Sequence, residues 1–512
     1  MTVIFISIHI EKSPVAFPLA SAVLKTAVEK FTGLKDCRAL LEEFFMPQKA
    51  SDIADRLIKT GASFFGFSVY TWNASLVIET ARVLKERMPD AVIFAGGPQV
   101  TAVPGEFRKT GLFSFIVEGE GEGIVPGRLL GSAAHESIEF DFSKSASPYA
   151  KVLSEKKYSG VLWEVSRGCP YNCAFCYESR GCASIRTISE QRLIEELKLF
   201  RKMEIEKIWV LDPTFNHNKK HAENVLQMIL KYNPDAHYTF EIRAELMNET
   251  LCRLFSELDA SLQIGLQSTD EQVLKSVNRS LDKVKFAQKC KLMSSWGLTY
   301  GIDLIYGLPF DSIDKFCESI DFAVSSGPNN IDIFPLAVLP GTELAEKADR
   351  YGLNNEGFPS YTITGNAGFP AGDLRKAEAI TSACNSLYNK EQAFPWFETI
   401  LKTLELPASA LFERYDADSD YGADIIDFLA REFKKAGKEA LFQLFESFIL
   451  WSRTAEAAFA NQGTAFQVSL CRKPEQLDEL INTDPETFLA RHPNDKMKKY
   501  QIIFDGEELY IY

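Results

Sequence analysis

Basic charge is what this sequence is short of: its 512 residues carry 56 Lys and Arg against 70 Asp and Glu, a formal net charge of −14. A dedicated nucleic-acid binder normally shows a basic face, so that class is disfavoured, although a local basic groove is compatible with the total. No apolar run approaches the ~20 residues that span a bilayer, which leaves no membrane partner to expect. The N-terminus, Met1-Thr2-Val3-Ile4-Phe5-Ile6-Ser7-Ile8-His9, is apolar but lacks a basic leader and a small-residue cleavage site. It reads as a buried strand of a cytoplasmic protein. Internal repeats and low-complexity segments are missing. With 46% hydrophobic and 25% charged residues, wholesale disorder is excluded. A disulfide framework is missing too. Of ten cysteines, three crowd into positions 169–176 and the others lie far apart, the clustering of a metal site in a reducing compartment.

What is present is a long alternation of strand and helix. At about 150 residues per domain, the length allows roughly three domains. In the first, strands are expected at Val3–Ile8, Leu40–Phe45, Ala62–Tyr70, Ala91–Ala95 and Phe113–Val117. Helices are expected at Phe17–Phe31 (stopped by Gly33), 51–60 and 75–88. That order implies a parallel sheet covered on both faces. Residues 127–157 lose the pattern and read as a linker. From Val161 about six βα units follow, up to Leu339-Pro340-Gly341, implying a full or partial barrel with its site at the C-terminal strand ends. Helix-rich sequence with many aromatics occupies the remainder. Its last stretch, Tyr500–Phe504 and Glu508–Tyr512 around Asp505-Gly506, reads as a β-hairpin with a type I′ turn. The expected boundaries are 1–126, 127–157, 158–345 and 346–512.

The densest chemistry lies in Cys169-Pro170-Tyr171-Asn172-Cys173-Ala174-Phe175-Cys176, just after the apolar run Val161–Val165 and the turn Ser166-Arg167-Gly168. Thiolates suit iron–sulfur clusters or zinc. A closed zinc site needs a fourth ligand at suitable spacing. Cys182 stands alone, and His217 and His221 are remote. Three thiolates on a compact loop leave one iron of a cubane open for cofactor or substrate, with a structural zinc knuckle as the bland alternative. Cys37, Cys252, Cys290, Cys317, Cys384 and Cys471 read as small buried hydrophobes.

The CxxxCxxC spacing, followed by aromatic Tyr177, resembles the signature of the radical S-adenosylmethionine (SAM) superfamily. Further segments at successive strand ends extend the resemblance over about residues 158–345. Ile208–Asn216, containing Asp212, Pro213, Thr214 and Phe215, resembles the motif that holds the SAM amino group. Glu241 and Arg243 match positions that meet the SAM ribose and carboxylate. Ile264-Gly265-Leu266-Gln267-Ser268, Gly301–Pro309 and Leu339–Thr342 match the fourth, fifth and sixth strand motifs. The resemblance implies a [4Fe–4S] cluster on Cys169, Cys173 and Cys176, with SAM chelated at the open iron and cleaved reductively. It also implies an electron donor such as flavodoxin or ferredoxin.

The first domain resembles the Rossmann-like cobalamin-binding domain found before many radical SAM barrels. The matching residues are Gly66–Asn73 (with Ser68, Tyr70, Thr71, Trp72 and Asn73), Gly96-Gly97-Pro98-Gln99 through Thr101, and Val117-Glu118-Gly119-Glu120-Gly121-Glu122. All lie past strand ends, where open α/β sheets bind ligands. Gly96 and Gly97 would let the backbone approach a nucleotide tail closely. The Asp-x-His-x-x-Gly loop that supplies an axial histidine to cobalt is absent; Ser7 stands where its acid would precede His9. Cobalamin without a protein histidine ligand is therefore the expectation.

The resemblance thus implies an α/β protein: a cobalamin-binding domain, a partial (β/α)6 TIM-type radical SAM barrel and a helix-rich C-terminal accessory domain. The implied activity is cobalamin-dependent methylation of an unactivated carbon on a small-molecule substrate. Non-methylating radical rearrangement or cyclisation, or a cobalamin/SAM-responsive sensor, are the alternatives. A methylthiotransferase would need three further cysteines before the barrel, where only Cys37 stands. A coproporphyrinogen-oxidase-like protein or haem chaperone would lack the domain in front.

Overall fold

Five strands open the chain because five short runs of β-branched and aromatic residues are each bounded by turn or helical sequence. The computed structural model describes residues 1–14, 16–31, 34, 36–130, 140–178, 184–415, 425–477, 479–480, 483–492, 497–506 and 508–512. The opening strands are β1 (Thr2–His9), β2 (Arg38–Phe45), β3 (Phe64–Ser68), β4 (Val92–Gly96) and β5 (Phe115–Val117). Between and after them run α1 (Leu19–Lys30), α2 (Ala50–Lys59), α3 (Ala74–Arg87), α4 (Pro98–Ala102), α5 (Pro104–Lys109) and α6 (Gly121–Leu129). Every strand pair is parallel, in the order β2-β1-β3-β4-β5. The winding reverses between β1 and β3, and the crevice at such a reversal is where doubly wound sheets hold ligands.

Burial follows from alternation along β1. Val3 and Phe5 pack with Val28, Val125 and Leu129 on one face, while Ile4, Ile6 and Ile8 pack with Ile53, Leu57, Val77 and Leu84 on the other. With both faces covered, the strand reads as one unbroken apolar run.

In the stretch 127–157, the described residues 140–157 are packed, with Phe142, Tyr149, Val152 and Leu153 buried. Residues 131–139 lie outside the described residues, but beyond them comes helix α7 (Tyr149–Glu155). Tyr149 fixes that helix. Its ring stacks on Phe17 at 5.6 Å and meets Phe200 edge-on at 4.9 Å, and its hydroxyl donates to the Leu162 carbonyl at 2.7 Å. Buried aromatics hold residues 140–157 in place despite their Ser, Ala and Lys content.

The βα series then follows: β6 (Gly160–Trp163), the short β7 (Ser166–Arg167) and β8 (Arg186–Thr187), α8 (Glu190–Lys202), β9 (Lys207–Val210), α9 (Lys219–Tyr232), β10 (His237–Ile242), α10 (Glu249–Ser256), β11 (Ala260–Gln267), α11 (Glu271–Ser276), α12 (Lys283–Ser295), β12 (Thr299–Tyr306), α13 (Ile313–Ser325) and β13 (Asn330–Pro335). β6, β9, β10 and the first part of β11 are parallel neighbours in that order. Ser189, Asn218, Asn248, Asp282 and Ser312 each accept an N–H from the first turn of the following helix. These caps satisfy backbone donors that the helix itself leaves open.

Contacts divide the chain into two compact units. One holds Met1–Ile264, Glu271–Thr299 and Leu336–Ala367; the other holds Gly265–Asp270, Tyr300–Pro335 and Gly368–Tyr512. Within the second, β12 and β13 pair in parallel from Gly301↔Asn330 to Tyr306↔Pro335. Its helices bury Trp396, Phe397, Phe428, Phe445 and Phe448. The chain's last strands, Lys498–Phe504 and Leu509–Ile511, are joined by a third, Ala465–Leu470, so an antiparallel sheet of three strands replaces the simple hairpin expected. Asp505 N–H donates to the Glu508 carbonyl at 3.2 Å, and Gly506 takes φ +108. No helix among the described residues is long and apolar enough to cross a membrane.

Gly160 starts β6 where an added Cβ would stand 2.4 Å from the Pro14 carbonyl oxygen and 2.9 Å from that of Lys207. Both are backbone atoms, so Gly160→Ala is expected to cost about 1–3 kcal/mol, the range for overpacking. A denaturation midpoint equal to wild type would show that the Pro14 segment yields freely.

Candidate active site

The cysteine loop is strung between two short strands. Ser166 pairs with Thr187 and Arg167 with Arg186 in an antiparallel ribbon, and Gly168 leaves it at φ +104. The Cys176 N–H donates to the Cys173 carbonyl at 3.0 Å, and Ala174 N–H reaches the Val277 carbonyl at 3.1 Å. Cys169 is buried; Cys173 and Cys176 are half-buried, and all three are free thiols. Burial raises the Cys169 thiol above its ordinary range and pushes Cys176 up to about 11, and Cys173 adds to both shifts. Such thiols become thiolates only with positive charge beside them, as a metal supplies. Cys182 lies outside the described residues.

Two guanidinium groups lie beside the third cysteine, Cys173. Arg279 Nη1 donates to Cys173 Sγ at 3.6 Å and Arg243 Nη2 stands 4.0 Å from the same sulfur. Arg243 is held on every side. Its guanidinium covers the Tyr171 ring at 3.5 Å and meets Glu245 at 2.9 Å. The Asn216 side-chain amide takes both its backbone N–H (3.0 Å) and its carbonyl (2.9 Å). Arg279 follows a brace of its own. Asn278, at φ +58, donates to the Asn172 carbonyl at 3.0 Å and to Glu343 at 2.7 Å.

Asp212 turns its carboxylate to the backbone. Oδ1 accepts from Val165 N (3.1 Å) and Ser166 N (2.8 Å), and Oδ2 accepts from the Ser166 hydroxyl at 2.5 Å. It thereby fixes the chain just before the ribbon. Thr214 lies against the Cys169 sulfur. Phe215 is buried against Phe240 at 4.6 Å and belongs to the core. Pro213 is half-buried and Glu241 exposed. The Tyr177 ring sits 3.0 Å from where a Cβ on Gly341 would be, a glycine at φ +76. Gln267 and Ser268 belong to the second unit; there Gln267 takes φ +71 and Ser268 is buried.

A cavity of ≈ 680 Å³ opens along the C-terminal edge of the first sheet. Ser68, Tyr70, Trp72, Gly96, Gly97, Pro98, Gly119 and Glu120 line it, joined by Ser7, His9 and Ile10 from β1 and by Leu162, Glu164, Arg167 and Leu211 from the barrel. Tyr70 and Trp72 stack at 4.4 Å with planes 5° apart, and Trp72 Nε1 donates to the Ile8 carbonyl at 3.2 Å. Ser7, Ser21 and Ser68 form a buried hydroxyl chain at 2.8 and 3.3 Å. His9 stacks on Phe45 at 5.3 Å with Nε2 3.3 Å from Glu43.

The other expected residues are not part of the cavity lining. Asn73 is buried, donating to the Ile8 and Ser68 carbonyls and accepting the Tyr70 N–H. Thr71 lies in the same short turn. Gln99 is buried and donates to the Tyr361 hydroxyl at 2.7 Å. Glu118 is exposed and pairs with Arg108. At Gly97, φ is +110 and a Cβ would stand 2.7 Å from the Val69 carbonyl oxygen, so any side chain there strains the backbone whatever fills the cavity.

Sequence reasoning missed Arg167, Arg186, Arg279 and Asn278. The Asn278-Arg279 pair shortly after the Gln267-Ser268 motif was the only local signal, and an Asn at positive φ leaves no mark on composition.

Both implied groups meet donors that suit them. Three cysteine thiols on one loop are the soft donors of an iron–sulfur cubane, in which each binds a different iron. For a corrin, the cavity is large, mostly apolar and rimmed by a few polar groups, the usual character of a cofactor site.

Residues 163–323 match the Radical SAM superfamily and residues 15–128 the B12 binding domain. The chain is 25% identical over 385 residues to the cobalamin-dependent radical SAM methyltransferase TokK of Streptomyces tokunonensis, and 26% identical over 385 residues to the 2-(S-pantetheinyl)-carbapenam-3-carboxylate methyltransferase of Streptantibioticus cattleyicolor. Each match takes in 66% of this chain and 56% of the relative, so the chain spans about half the length of these curated relatives. The solved structure of the cobalamin-dependent S-adenosylmethionine radical enzyme OxsB, with aqua-cobalamin and S-adenosylmethionine bound, superposes with a TM-score of 0.57. The superposition covers 96% of this chain and 75% of that one at 16% identity, which establishes a shared fold.

Asp212 carries a pH signature. Burial pushes its carboxyl up to about 6, above the ≈ 3.9 of an unfolded aspartate. Between those values the folded state holds a proton that the unfolded state has released, so stability falls as pH rises and levels off above about 6. Asp212→Asn is expected to remove this slope, worth about 3 kcal/mol at most. Denaturation of the metal-free protein between pH 4 and 7 checks it; identical slopes in wild type and variant would contradict it.

Proposed function

The chain carries a B12 binding domain ahead of a Radical SAM superfamily domain, and on that footing we propose that it is a cobalamin-dependent radical SAM methyltransferase acting on a small molecule. One observation carries the reading. In a single compact unit, the wall of the large cavity includes Glu164 and Arg167, the residues that lead into the three-cysteine loop.

Cys169, Cys173 and Cys176 would hold the cluster. Cobalamin would occupy the cavity between the strand ends of the first sheet and the barrel strands, lying against Ser68, Tyr70, Trp72 and the Gly96-Gly97 turn. When bound, the cluster with SAM supplies an adenosyl radical for hydrogen abstraction and cobalamin supplies the methyl group.

The chain's own residues prepare that chemistry. Arg243 and Arg279 place fixed positive charge beside Cys173 and offer donors to the carboxylate of a chelated methionine. Tyr171 and Glu245 hold the Arg243 fork in one orientation, so little rotamer freedom remains to be lost on binding. The apolar part of the cavity lining (Ile8, Phe17, Leu24, Leu162, Leu211) would let a bound corrin displace water there, protecting a reactive radical from quenching. A flavodoxin- or ferredoxin-type donor would deliver the electron, consistent with a cytoplasmic protein.

After anaerobic reconstitution, reduced protein with SAM should release 5′-deoxyadenosine. Cys173→Ala should release none. Arg243→Ala should bind SAM about tenfold more weakly at unchanged iron content, in line with loss of one charged hydrogen-bond pair. Iron-loaded wild type that yields no 5′-deoxyadenosine would overturn the radical reading, and unchanged SAM affinity would remove Arg243 from the site.

A further inference from the structure

The neck of the cysteine loop is gripped from the first domain. Glu120, in the loop after β5, binds both strands of the ribbon: Oε2 accepts Arg186 Nη1 at 3.0 Å and Oε1 accepts Arg167 Nη1 at 3.1 Å. Arg167 and Arg186 face each other in the ribbon's register, and all three cysteines lie on the chain between them. Around this bridge the charges are closely set. Arg167 forks onto Glu164 at 2.7 and 2.9 Å and reaches Glu122 at 2.9 Å. The Phe142 ring lies 4.3 Å from the Arg167 guanidinium and 5.6 Å from that of Arg186.

A lone exposed ion pair would be worth little. This one is a network of forked, charge-assisted bonds with an aromatic backing, and Glu122 and Arg167 are largely withdrawn from water, at 7% and 22% side-chain exposure. Such networks fix geometry as well as adding energy. The arginines draw the Glu120 carboxyl below the ordinary carboxylate range, Arg186 most strongly, so the bridge is ionised at neutral pH. The position of the bridge matters as much as its strength. Glu120, Glu122, Glu164 and Arg167 all form part of the wall of the ≈ 680 Å³ cavity. A ligand that fills the cavity would lie against these side chains, which hold both strands from which the cysteine loop hangs.

We propose that Glu120 is a positioning residue that clamps the neck of the cysteine loop, so that a corrin in the cavity stabilises the iron–sulfur cluster. The inference rests on the reading of function above. Coupling of this kind is reciprocal: a formed cluster should tighten corrin binding by the same factor.

The test is the rate at which a ferrous chelator strips iron, under anaerobic conditions, from full-length reconstituted protein with and without hydroxocobalamin. Glu120→Gln keeps shape and removes charge, and should lose iron about threefold faster or more, the size of a modest coupling energy. Glu118→Gln removes an equal charge two residues away, from a pair with Arg108 only, and should match wild type. Glu120→Asp, which keeps the charge on a shorter arm, should fall between. Hydroxocobalamin should slow iron loss in wild type and Glu118→Gln but not in Glu120→Gln. If Glu120→Gln does not fold, Arg186→Gln carries the same expectation from the other side of the bridge. Wild type that takes up no cluster overturns the functional reading. A loaded wild type with equal rates in Glu120→Gln and Glu118→Gln, or with no protection by hydroxocobalamin, overturns the clamp alone.

Discussion

Three sulfurs have to be held together where burial opposes their ionisation, and the surrounding residues are arranged around that constraint. Cys169 and Cys176 have raised thiol pKa values because they are desolvated and because each lies near another sulfur. Two guanidinium groups converge on Cys173. Asp212, itself buried at the cost of a raised pKa, fixes the backbone that precedes the loop. These features make sense together as an anion-binding frame for a metal cluster, and they would be wasteful around three structural cysteines.

Parallel topology supplies the second condition. In both parallel sheets of the first unit every strand ends on the same edge. The loops after β1, β3, β4 and β5 therefore line one cavity together with residues beside β6 and β9. The tightest of these loops depends on backbone that only glycine allows, since a Cβ on Gly97 would collide with Val69. Asn73 does the complementary work, tying the turn after β3 to the end of β1 through Ile8.

Much of this was legible in the sequence because it is local. Apolar runs ended by Gly or Pro marked the strands, and the cysteine spacing marked the loop. What escaped was long-range pairing. Nothing near Arg167 or Arg186 announces that they share Glu120, many residues earlier, or that Phe142 backs both. Asn278 and Arg279 brace the cysteine loop across a similar gap. Asp212 was legible as a strand-end residue, but its three backbone and hydroxyl donors at Val165 and Ser166 were not. The third strand, Ala465–Leu470, escaped because its partner is over thirty residues away, with Ile502 at the centre of the sheet. In the C-terminal region the aromatics are core: Trp396, Phe397, Phe428 and Phe445 are all buried.

On this reading, one unit of the chain houses two cofactors, a cubane on the cysteine loop and a corrin in the adjoining cavity. Metal analysis of full-length protein, reconstituted anaerobically with iron, sulfide and hydroxocobalamin and then freed of unbound metal, tests it directly. About four irons and one cobalt per chain are expected, as one cubane on three cysteines and one corrin require. Iron falling to background in Cys169→Ala while cobalt stays would support two separate sites. Protein that retains iron but no cobalt, or a single zinc ion in place of the cluster, would contradict it.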